Sequence, residues 1–312
     1  MSHNPETQFE EWQKAIHGDK LYRCSWRIET PKAVVQLAHG MGEHIARYDR
    51  FARFLNANGY SVYGADHRGH GKSSIPSSYG HMGKRGWEGC LDDMAELAGI
   101  AREQNPGLPL FLFGHSMGAV LSQQLITDIE EPYAGVVLSG SPGFVNKALS
   151  KVGRLVARFE SWRLTEAGNS GLLKALVFDG NNKPFKNGGD TGFEWLSRDA
   201  SAVQAYIADE ACGFVLSNGS MAEFFAGMLA GQDAQAISSI PKSLPMMILS
   251  GTADPVHEDT KNLRAMRLAY EQAGLKPDYK LYRGGRHEML NETNAEQVFS
   301  DILAWLDKSI DV

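Results

Sequence analysis

Several scarcities in the sequence narrow what it can do. Its 312 residues include only three cysteines, Cys24, Cys90 and Cys212. They are far apart and outside any Cys-x-x-Cys spacing, so neither a disulfide framework nor a zinc site is expected. No uninterrupted apolar run is long enough to cross a bilayer. The first residues, Met1 to Gly18, carry Glu6, Glu10 and Glu11 and no apolar core, so a secretory leader is not expected. The formal charge of -6 comes from interspersed acids and bases, which leaves no basic stripe for nucleic acid. Together these point to a cytoplasmic protein whose partner is a small soluble molecule or a lipid.

Apolar content is ample. At 43% hydrophobic residues the chain can bury a large core, and one α/β domain carrying an insertion is preferred to two small domains. Near the start, Tyr22, Cys24, Trp26 and Ile28 alternate with Arg23, Ser25 and Arg27, the period of a half-exposed antiparallel strand. The pattern then changes to short apolar runs ending in glycine, serine or aspartate: Ala33 to Ala38, Ser61 to Ala65, Leu108 to Phe113, Gly135 to Leu138 and Met246 to Leu249. Helix-like segments such as Tyr48 to Asn58 and Trp87 to Gln104 lie between them. Buried strands alternating with helices predict a mostly parallel central sheet with helices on both faces. Ligands of such sheets sit beyond the carboxyl ends of the strands, which directs attention to residues 39–42, Asp66, Ser116 and Asp254.

The alternation stops between about Ser141 and Pro241, where two helical segments flank a loop-like stretch from Gly168 to Gly192. The chain is therefore divided into a first core part (1–141), a cap (142–241) and a second core part (242–312).

Gly114-His115-Ser116-Met117-Gly118 sits between an apolar strand-like run and a helix-like run. A serine on such a sharp turn has an exposed hydroxyl and free backbone N–H groups beside it, the arrangement of a nucleophile. A serine hydroxyl needs a histidine base, and the base needs an acid to fix its tautomer. Asp254 follows the run Met246 to Leu249, with Asp259 a nearby rival, and His287 follows the strand-like Tyr279 to Tyr282. The order Ser116, Asp254, His287 is the one this kind of turn uses. The oxyanion would be held by the Met117 N–H and by the Met41 N–H of the glycine-rich run His39 to His44. His39, His44, His67, His70 and His81 fall in glycine-rich turns without a matching set of acids, so no metal is expected. The chemistry requires no cofactor.

These motifs resemble the monoacylglycerol lipase and lysophospholipase branch of the α/β-hydrolase superfamily over nearly the whole chain. The resemblance rests on His39-Gly-Met-Gly-Glu-His44, Gly64-Ala-Asp-His-Arg-Gly-His-Gly-Lys-Ser73, the Ser116 turn, Ser250-Gly-Thr-Ala-Asp254 and Arg286-His-Glu-Met-Leu-Asn-Glu292. It implies an α/β-hydrolase fold with a largely helical cap inserted after the sixth strand and an acyl tunnel beneath it. It also implies that Glu43 and Arg47 support the polar end of the pocket; a salt bridge holding the loop is the equal alternative for Arg47. The chain departs from the family at Leu290, where animal monoacylglycerol lipases carry a second histidine, and at Asp209-Glu-Ala-Cys212, in place of Asp-Pro-Leu-Cys.

Within the cap, Val145, Leu149, Val152, Val156 and Phe159 share one helical face, and Lys147, Lys151, Arg154 and Arg158 another. A cap helix with its apolar face on the tunnel is expected, and transient contact with an anionic membrane is the alternative. Met221, Phe224, Phe225, Met228 and Leu229 form a second stripe, from which Phe224 and Met228 are taken as substrate contacts. The expected activity is hydrolysis of carboxylic esters of monoacyl lipids through an acyl-enzyme. Its rivals are a short-chain carboxylesterase and a non-catalytic binding module on the same fold. Dehalogenase and epoxide hydrolase chemistry would need an aspartate where Ser116 stands.

Overall fold

Runs of β-branched, leucine and phenylalanine residues build the centre of the molecule. In the computed structural model, which describes residues 7–16, 19–128, 131, 133–188 and 191–310, they form an eight-stranded sheet. The strands are β1 (Gln8–Ile16), β2 (Asp19–Arg27), β3 (Ala33–Ala38), β4 (Tyr60–Ala65), β5 (Leu110–His115), β6 (Gly135–Ser139), β7 (Met246–Gly251) and β8 (Asp278–Tyr282). Their order is β1-β2-β4-β3-β5-β6-β7-β8, with β1 and β2 antiparallel and all pairs from β4 to β8 parallel. Strands β3, β5, β6 and β7 are buried along their whole length. That is why they read as continuous apolar runs and not as alternations.

Helices cover both faces. On one side α1 (Asp49–Ala57) and the C-terminal helix meet through Phe51 and Phe299, whose rings are 5.1 Å apart. On the other lie α2 (Gly86–Gln104) and α3 (Met117–Leu125), which bury Met94, Leu97, Val120 and Leu121. Between β6 and β7 the chain leaves the sheet and forms a largely helical cap. It comprises α4 (Lys147–Leu164), the single turn α5 (Gly171–Lys174), α6 (Ala200–Ala208), α7 (Asn218–Ala230) and α8 (Ala234–Ser239). Helices α9 (Lys261–Gln272) and α10 (Ala295–Ile310) complete the second core part.

Two expectations need correction, and one strand goes beyond them. Strand β2 is antiparallel as its period predicts, but it is not half-exposed: Arg23 and Ser25 are fully buried. Helix α2 covers their face, and Glu96 accepts from Arg23 Nη2 at 2.7 Å, because a buried guanidinium requires a partner. Strand β1 was not anticipated at all; residues 1–6 and 17–18 of that polar segment lie outside the described residues. The stretch expected as a loop from Gly168 to Gly192 instead forms short helical turns, started by Ser170, whose hydroxyl accepts from the N–H groups of Leu172 and Leu173. Residues 189 and 190 of it are outside the described set.

The apolar face of α4 lies on a cavity, as expected, through Leu149, Val152 and Val156, but α4 packs through a different face. Its buried residues are Ser150, Gly153, Ala157 and Glu160, whereas Leu149, Val152 and Phe159 are exposed. Small residues win the interface because α4 lies close on α7: a Cβ at Gly153 would approach the Phe225 ring to 2.8 Å.

Candidate active site

The turn between β5 and α3 is tight enough to force its composition. Ser116 has φ 52° and ψ -113°, a strained conformation for a non-glycine residue. A side chain at Gly114 would collide with the Gly118 carbonyl, and one at Gly118 with the Ala38 carbonyl of β3. The backbone is pinned by the Ser116 N–H donating to the Ser139 carbonyl of β6 at 2.9 Å. Strain held this way lifts the hydroxyl above the sheet edge.

Ser116, His287 and Asp254 come together there from three separate strand ends. Ser116 Oγ lies 3.0 Å from His287 Nε2, and His287 Nδ1 lies 2.9 Å from Asp254 Oδ2. The same carboxylate accepts from Ser250 Oγ at 3.0 Å and from the Val256 N–H at 3.0 Å. Burial works to raise the Asp254 carboxyl, but the His287 imidazole outweighs it and holds the acid below its ordinary range. Burial alone would lower His287; the Asp254 carboxylate reverses this and raises it above 6.5. An ionised acid on Nδ1 fixes the tautomer in which Nε2 can accept the Ser116 proton. Asp259, the rival acid, stands instead in a left-handed stretch with Glu258 and Thr260.

The run His39 to His44 follows β3 and passes beside Ser116. A Cβ on Gly40 would approach Ser116 Cβ to 3.3 Å, and Met41, Ser116 and Met117 line the same cavity. Neither the Met41 N–H nor the Met117 N–H donates to a protein acceptor among the described residues. His39 braces this run: its Nε2 accepts from the His67 N–H, leaving Nδ1 to donate to the Gly40 carbonyl at 2.8 Å.

Glu43 and Arg47 belong to one buried network. Glu43 accepts from the Gly40 N–H at 2.6 Å and from the Tyr48 hydroxyl at 2.9 Å. Arg47 donates to Glu43 at 2.5 Å and takes Glu288 in a two-pronged pair at 2.7 and 2.6 Å. Burial would raise the Glu288 carboxyl, but Arg47 overrides it and holds the group at about 2. Both readings of the pair find a counterpart: Glu43 lines the cavity that holds Ser116, while Arg47 is consumed in salt bridges beside it.

That cavity has a volume of about 590 Å³. Its walls come from α4 (Val145 just before it, then Leu149, Val152 and Val156), from the turns after it (Leu172, Leu176, Phe178) and from α7 (Phe224, Phe225, Met228). Phe224 and Met228 thus line the cavity, whereas Met221 of the same stripe does not.

Among the described residues, His44, Asp209 and Cys212 are the group whose donor atoms approach one another closely enough for a metal, within 4.8 Å. The contact is already satisfied as a hydrogen bond, His44 Nε2 to Asp209 Oδ2 at 2.8 Å, and burial pushes the Cys212 thiol up.

Four residues of the site were not singled out from sequence: His115, Trp195, Tyr206 and Glu288. Glu288 had a signal, since an arginine destined for burial needs acids and this one adjoins His287. Trp195 and Tyr206 had none, because their roles arise only when the cap folds onto the strand ends. Tyr206 donates from its hydroxyl to the Gly42 carbonyl at 2.8 Å.

A parallel sheet with a strained serine turn and a Ser-His-Asp relay defines an α/β-hydrolase of the serine type. The sequence profile described as serine aminopeptidase, S33 matches residues 29–294, and the chain belongs to that family, in its monoglyceride lipase branch. It is 29% identical to the monoacylglycerol lipase of Mycolicibacterium smegmatis over 93% of this chain and 94% of that one. It is 30% identical to a putative monoglyceride lipase of Schizosaccharomyces pombe, over 92% and 71% respectively. A thermostable carboxyl esterase from Bacillus coagulans in complex with glycerol superposes with a TM-score of 0.88 at 26% identity, covering 97% of this chain and 99% of that one.

Proposed function

We propose that this chain hydrolyses the carboxylic ester of a neutral monoacyl lipid, of the monoacylglycerol kind, through an acyl-enzyme. The reading is carried by the opening of the Ser116–His287–Asp254 relay into a large, mostly apolar cavity. Ser116 Oγ attacks the ester carbonyl while His287 Nε2 takes its proton, and the N–H groups of Met41 and Met117 hold the oxyanion. His287 returns the proton to the leaving alcohol, and Asp254 stabilises the transient imidazolium. Water then repeats the sequence and releases the fatty acid. The cap that closes over this site is assigned residues 142–241.

The charge of the lining favours a neutral head group over a phosphate. Glu43, Glu258 and Glu288 face the cavity, and no lysine or arginine lines it among the described residues. Arg47 nearby is already shared by two carboxylates. A lysophospholipid phosphate would therefore be desolvated without a cationic partner. The test is hydrolysis of matched monoacylglycerols, lysophospholipids and simple esters of graded chain length, with Ser116→Ala as control. Activity confined to short chains would leave an esterase and remove the lipid; activity surviving in Ser116→Ala would remove the mechanism.

The exposed flank of α4 supports contact with a lipid surface. Leu155 and Trp162 are 65% and 81% exposed, beside Lys151, Arg154 and Arg158. Co-sedimentation with liposomes that ignores their anionic lipid content would count against it. Among the described residues no helix is long and apolar enough to cross a membrane. With three unpaired cysteines, the proposed location is the cytoplasm, peripheral to the membrane.

A further inference from the structure

The His287 imidazole is packed against two rings from distant parts of the chain. The Trp195 indole lies 4.9 Å away between centroids at an interplanar angle of 38°, and the His115 ring 4.8 Å away at 53°. Burial and the neighbouring His287 drive the His115 imidazole down to about 4, so it brings no like charge to its neighbour at neutral pH.

The backbone around His287 is fastened to the same cap segment. The His287 N–H donates to the Trp195 carbonyl at 3.3 Å and the Glu288 N–H to the Leu196 carbonyl at 2.8 Å. Arg286 Nη1 donates to the carbonyls of Glu194 and Ser197 at 2.5 and 2.9 Å, and its guanidinium lies over the Phe185 ring. Four consecutive cap residues, 194–197, are thus bound by the three residues 286–288. This part of the cap cannot move without moving the imidazole.

We propose that Trp195 is a positioning residue for His287, and that Arg286 keeps it in place by tying residues 194–197 to the His287 turn. The proposal rests on the reading of His287 as the general base. A base that serves first Ser116 Oγ and then the leaving oxygen must keep its ring plane while its charge changes. The indole restricts that plane sterically, and its π face favours the imidazolium formed in the transition state. The backbone bonds fix where the turn sits, while the indole fixes how the ring is presented.

The experiment compares wild type, Trp195→Leu, Trp195→Phe, Arg286→Met and Ser116→Ala as full chains, with thermal melting as a folding check. Three quantities are read: kcat and KM on 4-nitrophenyl butyrate, whose short acyl group barely uses the apolar cavity, and the rate of fluorophosphonate labelling at Ser116. Trp195→Leu is expected to lower kcat about 30-fold, the size of a desolvated cation–π contact. KM should stay within about twofold, because the loss falls on the transition state and not on binding. Labelling should slow in parallel, Trp195→Phe should restore most of the rate, and Arg286→Met should reproduce the loss in part. Unchanged kcat and labelling in Trp195→Leu would overturn the proposal, as would a raised KM with kcat intact. Should the leucine variant not fold, Arg286→Met decides by the same criteria. Failure of the wild type to label at Ser116 would instead remove the hydrolase reading itself, so the two failures are distinct.

Discussion

Arg47 grips Glu288 through both terminal nitrogens, at 2.7 and 2.6 Å, and so ties the residue beyond His287 to the segment that carries Met41. Removing the cation would strand two buried carboxylates, Glu43 and Glu288. Arg47→Met is therefore expected to cost about 3–5 kcal/mol, read as a lowered urea midpoint. A loss below about 1 kcal/mol would show that water reaches the pair.

The same pair predicts how stability depends on pH. The folded Glu288 carboxyl is held at about 2 by Arg47 against an ordinary value of 4.5. A depressed acid contributes stability that is fully present above its unfolded value and is lost as pH falls through the folded one. The urea midpoint should accordingly hold above about pH 4.5 and fall between there and about pH 2, with a smaller fall in Glu288→Gln. Equal falls in the two proteins would remove Glu288 from this account.

Activity should follow the opposite limb. Asp254 raises His287 above 6.5, and only the neutral imidazole can accept the Ser116 proton. The rate constant kcat/KM should rise with pH through a single ionisation above 6.5 and then level off. In Asp254→Asn the carboxylate that raises the imidazole is gone, so this ionisation moves to lower pH. The wrong tautomer then reduces kcat by about 10⁴. A wild-type profile flat to pH 5 would be inconsistent with a raised base.

Much of this architecture is legible in sequence because the buried parallel strands are short apolar runs whose ends carry the chemistry. Ser116 and Asp254 each sit just past such a run, and His287 follows the turn after the only partly buried β8, so local pattern places them at one sheet edge. What is not legible depends on contacts between segments. Arg23 and Ser25 look exposed until α2 covers them, and nothing near Trp195 announces that it will face an imidazole 92 residues later in the chain. Helix α4 is half legible: periodicity gives the bulky face that lines the cavity, whereas the small face that packs on α7, through Gly153 and Ala157, shows only when the cap folds.

The serine turn should tolerate almost no added volume. A methyl group at Gly118 would strike the carbonyls of Ala38 and His39, which belong to β3 and the run after it and cannot swing aside as a side chain end can. Gly118→Ala is expected to cost about 1–3 kcal/mol and to displace the Met41 N–H from the oxyanion position proposed for it. Loss of one such donor lowers kcat by about 10²–10³. A variant with wild-type melting and wild-type kcat would mean that the strand end yields more easily than its hydrogen bonds suggest.

The cavity wall gives the most direct control over chain length. Val156 of α4 faces the same space as Phe225 and Met228 of α7. An indole at that position would fill room that a long acyl chain needs and a butyryl group does not. Val156→Trp is therefore expected to lower kcat/KM for long-chain monoacylglycerols by about 10–200-fold, the range set by losing a methylene-sized contact or more. Turnover of 4-nitrophenyl butyrate should remain near that of the wild type, because Ser116, His287 and the two backbone donors are untouched. Equal losses on both substrates would point to a displaced cap instead of an occluded acyl site. Unchanged long-chain turnover would mean that the chain leaves Ser116 by another route.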